Sequence, residues 1–533
     1  MNKKIALTIL GLVAILIVIG LVREYFEGMT QTSLPPPYSL VKTQQLTSPM
    51  LPEMIVSYGP VPVLVPPNAQ AEWDMFFENY GVNPFVSTED DALSTFAMDV
   101  DTGSYTVMRN YINRGNLPPK DSVRTEEYIN YFDQGYEKAT DTFSIFLDGA
   151  QSKFGEENKH LLRIGIKAKD VSLEERKPAN IVFVVDVSGS MNMENRLGLV
   201  KKSINLLVDN LKDEDKIGLA IYGSRGEKVL DLTSDKQKIL NAVEELRSGG
   251  VTNAEEGIKI GYEMLSEGFE KGKINRVIIM SDGVANVGRT GHEGIFKQVK
   301  KYSEKGITLS TIGFGMGNYN DVLMEQLANH GDGNYAYIDT YNEARRLFGD
   351  GLTGLLQVIA SDAKIQVEFN PETVDRYRLI GYENRALKDE DFRNDSVDAG
   401  EVGAGQSVTA LYELRFKDNL GINEPESDQW KIKLGLVKIR YQNMETGKIE
   451  TTSKQILKRA IDNKFENANA NFRFTSAIAE FAEILKESYW AKDGNLSEVL
   501  KVLEGTEIQG EKELEFIQLV KNTISIKEEE KWK

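Results

Sequence analysis

No cysteine occurs in the 533 residues, which excludes disulfides, thiolate metal sites, thiol nucleophiles and a lipid-modified cysteine anchor. Histidine is nearly as scarce. His160, His292 and His330 lie far apart in the chain, so a multi-histidine metal centre would need nearly all of them. Hard-metal chemistry through oxygen ligands stays open. Cationic charge is in deficit too, with 63 Lys plus Arg against 81 Asp plus Glu, a formal net charge of −18. That balance repels phosphate backbones, so no nucleic-acid partner is expected, whereas divalent cations and basic surfaces fit it. Extensive disorder is excluded as well, because 41% of the residues are apolar and 27% charged, the composition of a globular protein. The length predicts two to four packed units.

One long apolar run is present. Ile5 to Val22 contains 18 residues with Thr8 the sole clearly polar one, about 27 Å of helix at a rise of about 1.5 Å per residue. Lys3 and Lys4 precede it, and Arg23, Glu24 and Glu27 follow, so the N-terminus is expected on the cytoplasmic side and the bulk of the chain outside. A cleaved signal peptide would offer small A-x-A-like residues where Val22-Arg23-Glu24-Tyr25-Phe26 stands; an uncleaved single-pass anchor over 1–28 is the expectation. Nine of the 15 prolines fall between Leu34 and Pro67, which reads as a stiff tether over 29–72.

Beyond the tether the periodicity divides the chain. Over 73–177 the pattern is mixed, with helical spacing at Ser104 to Arg114 and Thr125 to Phe132 and alternation at Phe143 to Leu147 and Leu161 to Ala168. Over 178–355, short all-apolar runs such as Ile181 to Val185 and Val277 to Met280 alternate with amphipathic helices, one with Ser234 as its expected N-cap. This predicts a doubly wound α/β domain with a mostly parallel sheet covered on both faces. Period-two segments return over 356–460, predicting an antiparallel β-rich unit in which the 143–168 strands are expected to join, so that the α/β domain is inserted in it or flanked by it. Residues 461–533 read as C-terminal helices, with Lys527 to Lys533 a solvated tail.

Three loops carry the chemistry. Asp186-Val187-Ser188-Gly189-Ser190 follows the first buried strand without a gap, Gly249-Gly250-Val251-Thr252-Asn253 opens a helix, and a further strand ends in Ser281-Asp282-Gly283. In a doubly wound sheet the carboxyl ends of the strands form the ligand crevice, so all three should project from one edge. Two carboxylates, three hydroxyls and waters suit Mg²⁺, with Mn²⁺ or Ca²⁺ as substitutes. At these residues the chain resembles the von Willebrand factor type A (VWA) family. Its metal-ion-dependent adhesion site (MIDAS), a D-x-S-x-S motif plus a distant Thr and Asp, is matched by Asp186, Ser188, Ser190, Thr252 and Asp282. The flanks, including Asp99 to Pro119 and Leu355 to Pro371, look like those of bacterial membrane-associated members often labelled calcium-activated-chloride-channel-like.

Other motifs read more plainly. Asp101-Thr102-Gly103-Ser104 occurs once, whereas an aspartic protease needs two such carboxylates; Asp101 or Ser104 is expected to cap the following helix, and Asp99 with Asp101 is a weaker candidate for a second cation. Gly313-Phe314-Gly315-Met316-Gly317 has Asn318 where a dinucleotide fingerprint needs glycine. Tyr341 to Leu352 reads as one amphipathic helix. The resemblance thus implies a tethered extracytoplasmic adhesion module, not an enzyme, that takes a protein partner's acidic side chain on Mg²⁺. No small-molecule substrate is identified. The alternative is a metal-assisted hydrolase using the same ion.

Overall fold

A computed structural model of the chain describes residues 77–155, 158–283, 291–315, 320–418, 431–507 and 510–530. The expected anchor and tether lie outside the described residues. Among those described, no helix is long and apolar enough to cross a membrane.

The α/β domain is built on a six-stranded sheet. From one edge the strands run Tyr335–Ile338, Thr308–Phe314, Ile274–Ser281, Ala179–Asp186, Lys216–Tyr222 and Gly226–Thr233. All neighbours pair in parallel except the last strand, which returns antiparallel along the edge. Its sequence, GEKVLDLT, leaves most of its length only partly covered, as an edge strand allows and a buried parallel strand does not. Ala179–Asp186 is buried at every position. Ile181, Phe183 and Val185 pack on one side with the helices Arg196–Asp209 and Lys236–Glu244. Val182 and Val184 pack on the other with Ala254–Glu267, Gly291–Ser303 and Asp321–His330. Two covered faces explain why this strand reads as an unbroken apolar run.

Two sheets, antiparallel except where Ile461–Asp462 pairs parallel with Phe143–Gln151, form the β unit around a shared core. The first orders Val86–Ser87, Val374–Ile380, Ser407–Phe416, His160–Ala168, Phe143–Gln151 and Ile461–Asp462; in the second, Val358–Phe369 pairs with Gly400–Gly403, Lys433–Asn443 and Leu93–Ala97. Strands before and after the α/β domain thus share one sheet, His160–Ala168 pairing with Ser407–Phe416. The helices Ala470–Leu485, Leu496–Glu504 and Glu511–Glu530 pack with Gly103–Asn113 and Thr125–Asn130 in a further core.

Several local expectations change. The helix at Lys236 is capped by Asp235, not Ser234: the Asp235 carboxylate accepts from the Gln237 and Lys238 amides at 3.1 and 3.2 Å, because the preceding strand runs to Thr233 and sets the turn one residue later. Tyr341 to Leu352 is not a single helix. It passes from Tyr341–Arg345 through a wider π turn at Arg346–Asp350 into Leu352–Leu356, a stretch that Gly349 and Gly351 loosen. Lys527 belongs to the Glu511–Glu530 helix, which is fixed by the buried Phe516, Leu519 and Val520.

Candidate metal centre

Numbered along the chain, the α/β strands lie in the order 3-2-1-4-5-6. The order reverses between Ala179–Asp186 and Ile274–Ser281, which are adjacent and parallel. Connections leave these two strands in opposite directions, so a crevice opens at their carboxyl ends. Asp186 ends one strand, and Asp282 follows the other.

Four of the five expected residues meet there. The Ser188 and Ser190 hydroxyls are 3.0 Å apart, and Ser190 Oγ donates to Asp282 Oδ1 at 3.0 Å. Asp186 Oδ1 accepts from the Ser188 amide at 2.8 Å, and its Oδ2 from Ser281 Oγ at 2.8 Å. The loop bearing Thr252 is stitched to the first loop by its backbone: the Gly189 amide donates to the Gly250 carbonyl at 3.0 Å and the Gly249 amide to the Val187 carbonyl at 2.6 Å. Gly250 makes this turn at φ +89°, where a side chain would also strike Ser224. Thr252 is half-buried on this loop. Among the described residues, no hydrogen bond joins its hydroxyl to the other four.

Electrostatics mark the centre as short of positive charge. Asp186 is fully buried, and that burial together with Asp282 pushes its carboxyl up to about 6. The Tyr222 hydroxyl, paired in register with Asp186 on the neighbouring strand, is buried with no hydrogen-bond partner among the described residues. Hard anionic and hydroxyl oxygens from two loops, beside an orphaned hydroxyl, fit a small divalent cation.

Two contributors went unassigned in the sequence. Ser281 orients Asp186, and its place at the end of a strand whose next residue is Asp282 was a usable signal. Arg196 Nη1 lies 2.6 Å from Asp282 Oδ2; as the first residue of an ordinary helix it carried no signal at all. Gly315, at φ +74°, leaves the room in which the Arg196 side chain lies. This explains a glycine in GFGMG without a dinucleotide.

Asp99 and Asp101 hold no second cation site of the expected kind. Arg385 bridges them at 3.0 and 3.3 Å, and Asp101 Oδ1 accepts from the Tyr335 amide at 3.1 Å. The helix is capped instead at Thr102, without a side-chain cap hydrogen bond, because the carboxylate of Asp101 is already committed to the neighbouring domain. His160 and His330 take no part in the centre: His160 packs at 4.5 Å against Phe416, and His330 ends a helix at 4.7 Å from Phe296.

Comparison with known proteins agrees with this architecture. The model for the von Willebrand factor type A domain matches residues 180–350, that for von Willebrand factor matches 72–163, and that for the C-terminal part of YfbK matches 354–526. The fold and its loops therefore define a VWA-domain protein. Over 468 residues the chain is 35% identical to "Uncharacterized protein YfbK" of Escherichia coli (strain K12), covering 83% of this chain and 80% of that one. The chain belongs to the YfbK family of VWA proteins. It is also 28% identical over 213 residues to "Uncharacterized protein sll0103" of Synechocystis, covering 40% of this chain and half of that one. Among solved structures, a von Willebrand factor type A protein from Catenulispora acidiphila is similar over 70% of this chain and 88% of its own, at 12% identity and a TM-score of 0.43.

Proposed function

We propose that this chain is a membrane-tethered, outward-facing recognition module that captures a protein partner on a Mg²⁺ ion held by Asp186, Ser188, Ser190, Thr252 and Asp282. The observation that carries the reading is the buried Asp186 carboxylate facing Asp282 at the switch point, ringed by serine hydroxyls. Mn²⁺ or Ca²⁺ would meet the same oxygens. A bound ion supplies an electrophilic position that an acidic side chain of the partner completes. The protein's own part is to hold the two carboxylates apart from water, to orient Asp186 through Ser281, and to offset Asp282 with Arg196.

Tethering rests on the apolar run Ile5 to Val22 and its flanking charges. In this reading the module does no chemistry, and among the described residues the hydrolase alternative finds no base beside the loops beyond the proposed ligands themselves.

Isothermal titration should detect Mg²⁺ binding in the wild type and none at this centre in Asp186→Ala. A wild type that takes up no Mg²⁺ here sinks the reading. Capture of a partner from membranes should depend on Mg²⁺ and disappear with chelator, whereas chelator-sensitive phosphoester or peptide hydrolysis would favour the enzyme.

A further inference from the structure

The strand that ends beside Asp282 starts at a second acidic place. Ile274–Ser281 runs about 23 Å, at about 3.3 Å per residue, to the candidate metal centre from a cavity of about 410 Å³ between the α/β domain and the β unit. Asp332 reaches this cavity from the turn after the Asp321–His330 helix, Asp398 and Glu401 from the start of the Gly400–Gly403 strand, and Asp362 from an irregularity in Val358–Phe369. One carboxylate oxygen from each of Asp332, Asp398 and Glu401 lies within 4.8 Å of the other two. Oxygens about 2.3 to 2.6 Å from a common Ca²⁺ ion have this spacing.

An acidic cluster alone would be unremarkable on a chain of this charge. Glu401 is different: it is only 7% exposed, lines the cavity, and among the described residues no hydrogen bond or ion pair reaches its carboxylate. Asp332 Oδ1 is likewise buried without a hydrogen bond. Buried oxygens of this kind are normally satisfied.

The counter-charge is insufficient. Among the described residues Lys300 is the one cation within ion-pair distance, 2.5 Å from Asp398 and 3.6 Å from Asp332. Arg276, on the cavity wall, gives its donors to Thr308, Ser310 and the Leu355 carbonyl instead. At ion-pair distance the three carboxylates meet a single ammonium.

We infer that Asp332, Asp398 and Glu401 form a Ca²⁺ site that ties the α/β domain to the β unit, separate from the Asp186 centre. Several carboxylates from separate loops suit Ca²⁺, which accepts six to eight oxygens in flexible geometry, better than Mg²⁺, which demands an octahedron and keeps its waters. Asp398, with its side chain 44% exposed, leaves an entry path.

The full-length chain in detergent would be titrated with Ca²⁺ alone while heat release and the thermal unfolding midpoint are followed. Wild type and Asp186→Ala should both show the Ca²⁺-dependent rise in midpoint. Glu401→Gln and Asp398→Asn should lose it, with Ca²⁺ binding at this site weakened about tenfold or more. Lys300→Met removes the competing ammonium, so it should lower the midpoint in chelator yet tighten Ca²⁺ binding. Asp398 is exposed enough for its variant to fold even where Glu401→Gln does not. The site is overturned if Asp398→Asn keeps the wild-type response, or if Asp186→Ala shows no Ca²⁺ response at all.

Discussion

Two carboxylate clusters in the same chain have opposite fates. Where the N-terminal segment meets the α/β domain, Asp99, Asp101, Glu127, Asp321 and Glu325 are all buried, and two guanidinium groups thread between them. Arg124 pairs with Glu127 and, at 2.7 Å, with Asp321; Arg385 reaches Asp99, Asp101 and Glu325 at 3.0, 3.3 and 3.1 Å. At the switch point Asp186 faces serines and, among the described residues, no cation, while Arg196 pairs with Asp282 at 2.6 Å. Planar guanidinium forks saturate carboxylate lone pairs and make the first cluster a joint between segments. Hydroxyls leave lone pairs available and the charge uncancelled, which makes the second a place for an incoming cation. Acidity alone does not make a metal site; the identity of the neighbours does.

The comparison breaks most visibly at the arginines. Arg385→Ala leaves the buried Asp99 and Asp101 without their cation and Glu325 with Arg124 alone, and should cost about 3–5 kcal/mol, read as a fall in the urea midpoint. A change no larger than that of a surface substitution would mean the joint is not held by charge pairing. Asp186→Ala, at the unpaired cluster, should cost far less in chelator.

Glu480 sharpens the same point inside a structural cluster. Arg378 pairs with Glu413 at 2.6 Å and with Glu483 at 3.0 Å, while burial and those two glutamates push Glu480 up to about 7. Because its folded value lies above its ordinary 4.5, its contribution is fully present below pH 4.5 and is lost as pH rises through 7. Glu480→Gln should therefore be more stable than wild type at pH 8, by up to about 3 kcal/mol, with the gain vanishing near pH 4. Equal stabilities at both pH values would show that Glu480 is not strained by burial.

At the metal centre, Arg196→Gln removes the cation nearest to Asp282 and should tighten Mg²⁺ about tenfold, or about 1.4 kcal/mol, by titration. Weaker binding would assign Arg196 to positioning instead of charge competition. The smallest effect is expected where charge is fully hydrated. Arg114, about half exposed, makes a bidentate pair with Glu194 at 3.0 and 2.8 Å, and Arg114→Ala should cost at most about 1 kcal/mol. A larger loss would mean that this pair braces the turn between Ser190 and Arg196.

Much of the centre was readable in advance because its parts are local. D-x-S-x-S follows an apolar run directly, and Ser281-Asp282 ends another, so strand periodicity alone put both at strand ends. Arg196 and the unpaired Glu401 were not readable. Their neighbours in space, Asp282 and Asp332, are distant in sequence, and no spacing rule ties a helix-starting arginine to a loop carboxylate 86 residues later. The Gly226–Thr233 edge strand escaped for a different reason: exposure lets its pattern be polar.

Sequence by itself determined the buried parallel strands, the two-sided burial of their sheet, the placing of Asp186 and Asp282 at strand ends and the absence of thiol chemistry, since these depend on side-chain type and short-range period. Tertiary structure decided which carboxylates are cancelled and which are not. Asp101 and Asp186 both sit at the end of an apolar stretch, yet one meets an arginine from the β unit and the other a serine from an adjacent strand. Charge balance is set by neighbours brought together through folding, and Coulomb interactions depend on distance in space and on burial, neither of which is written along the chain.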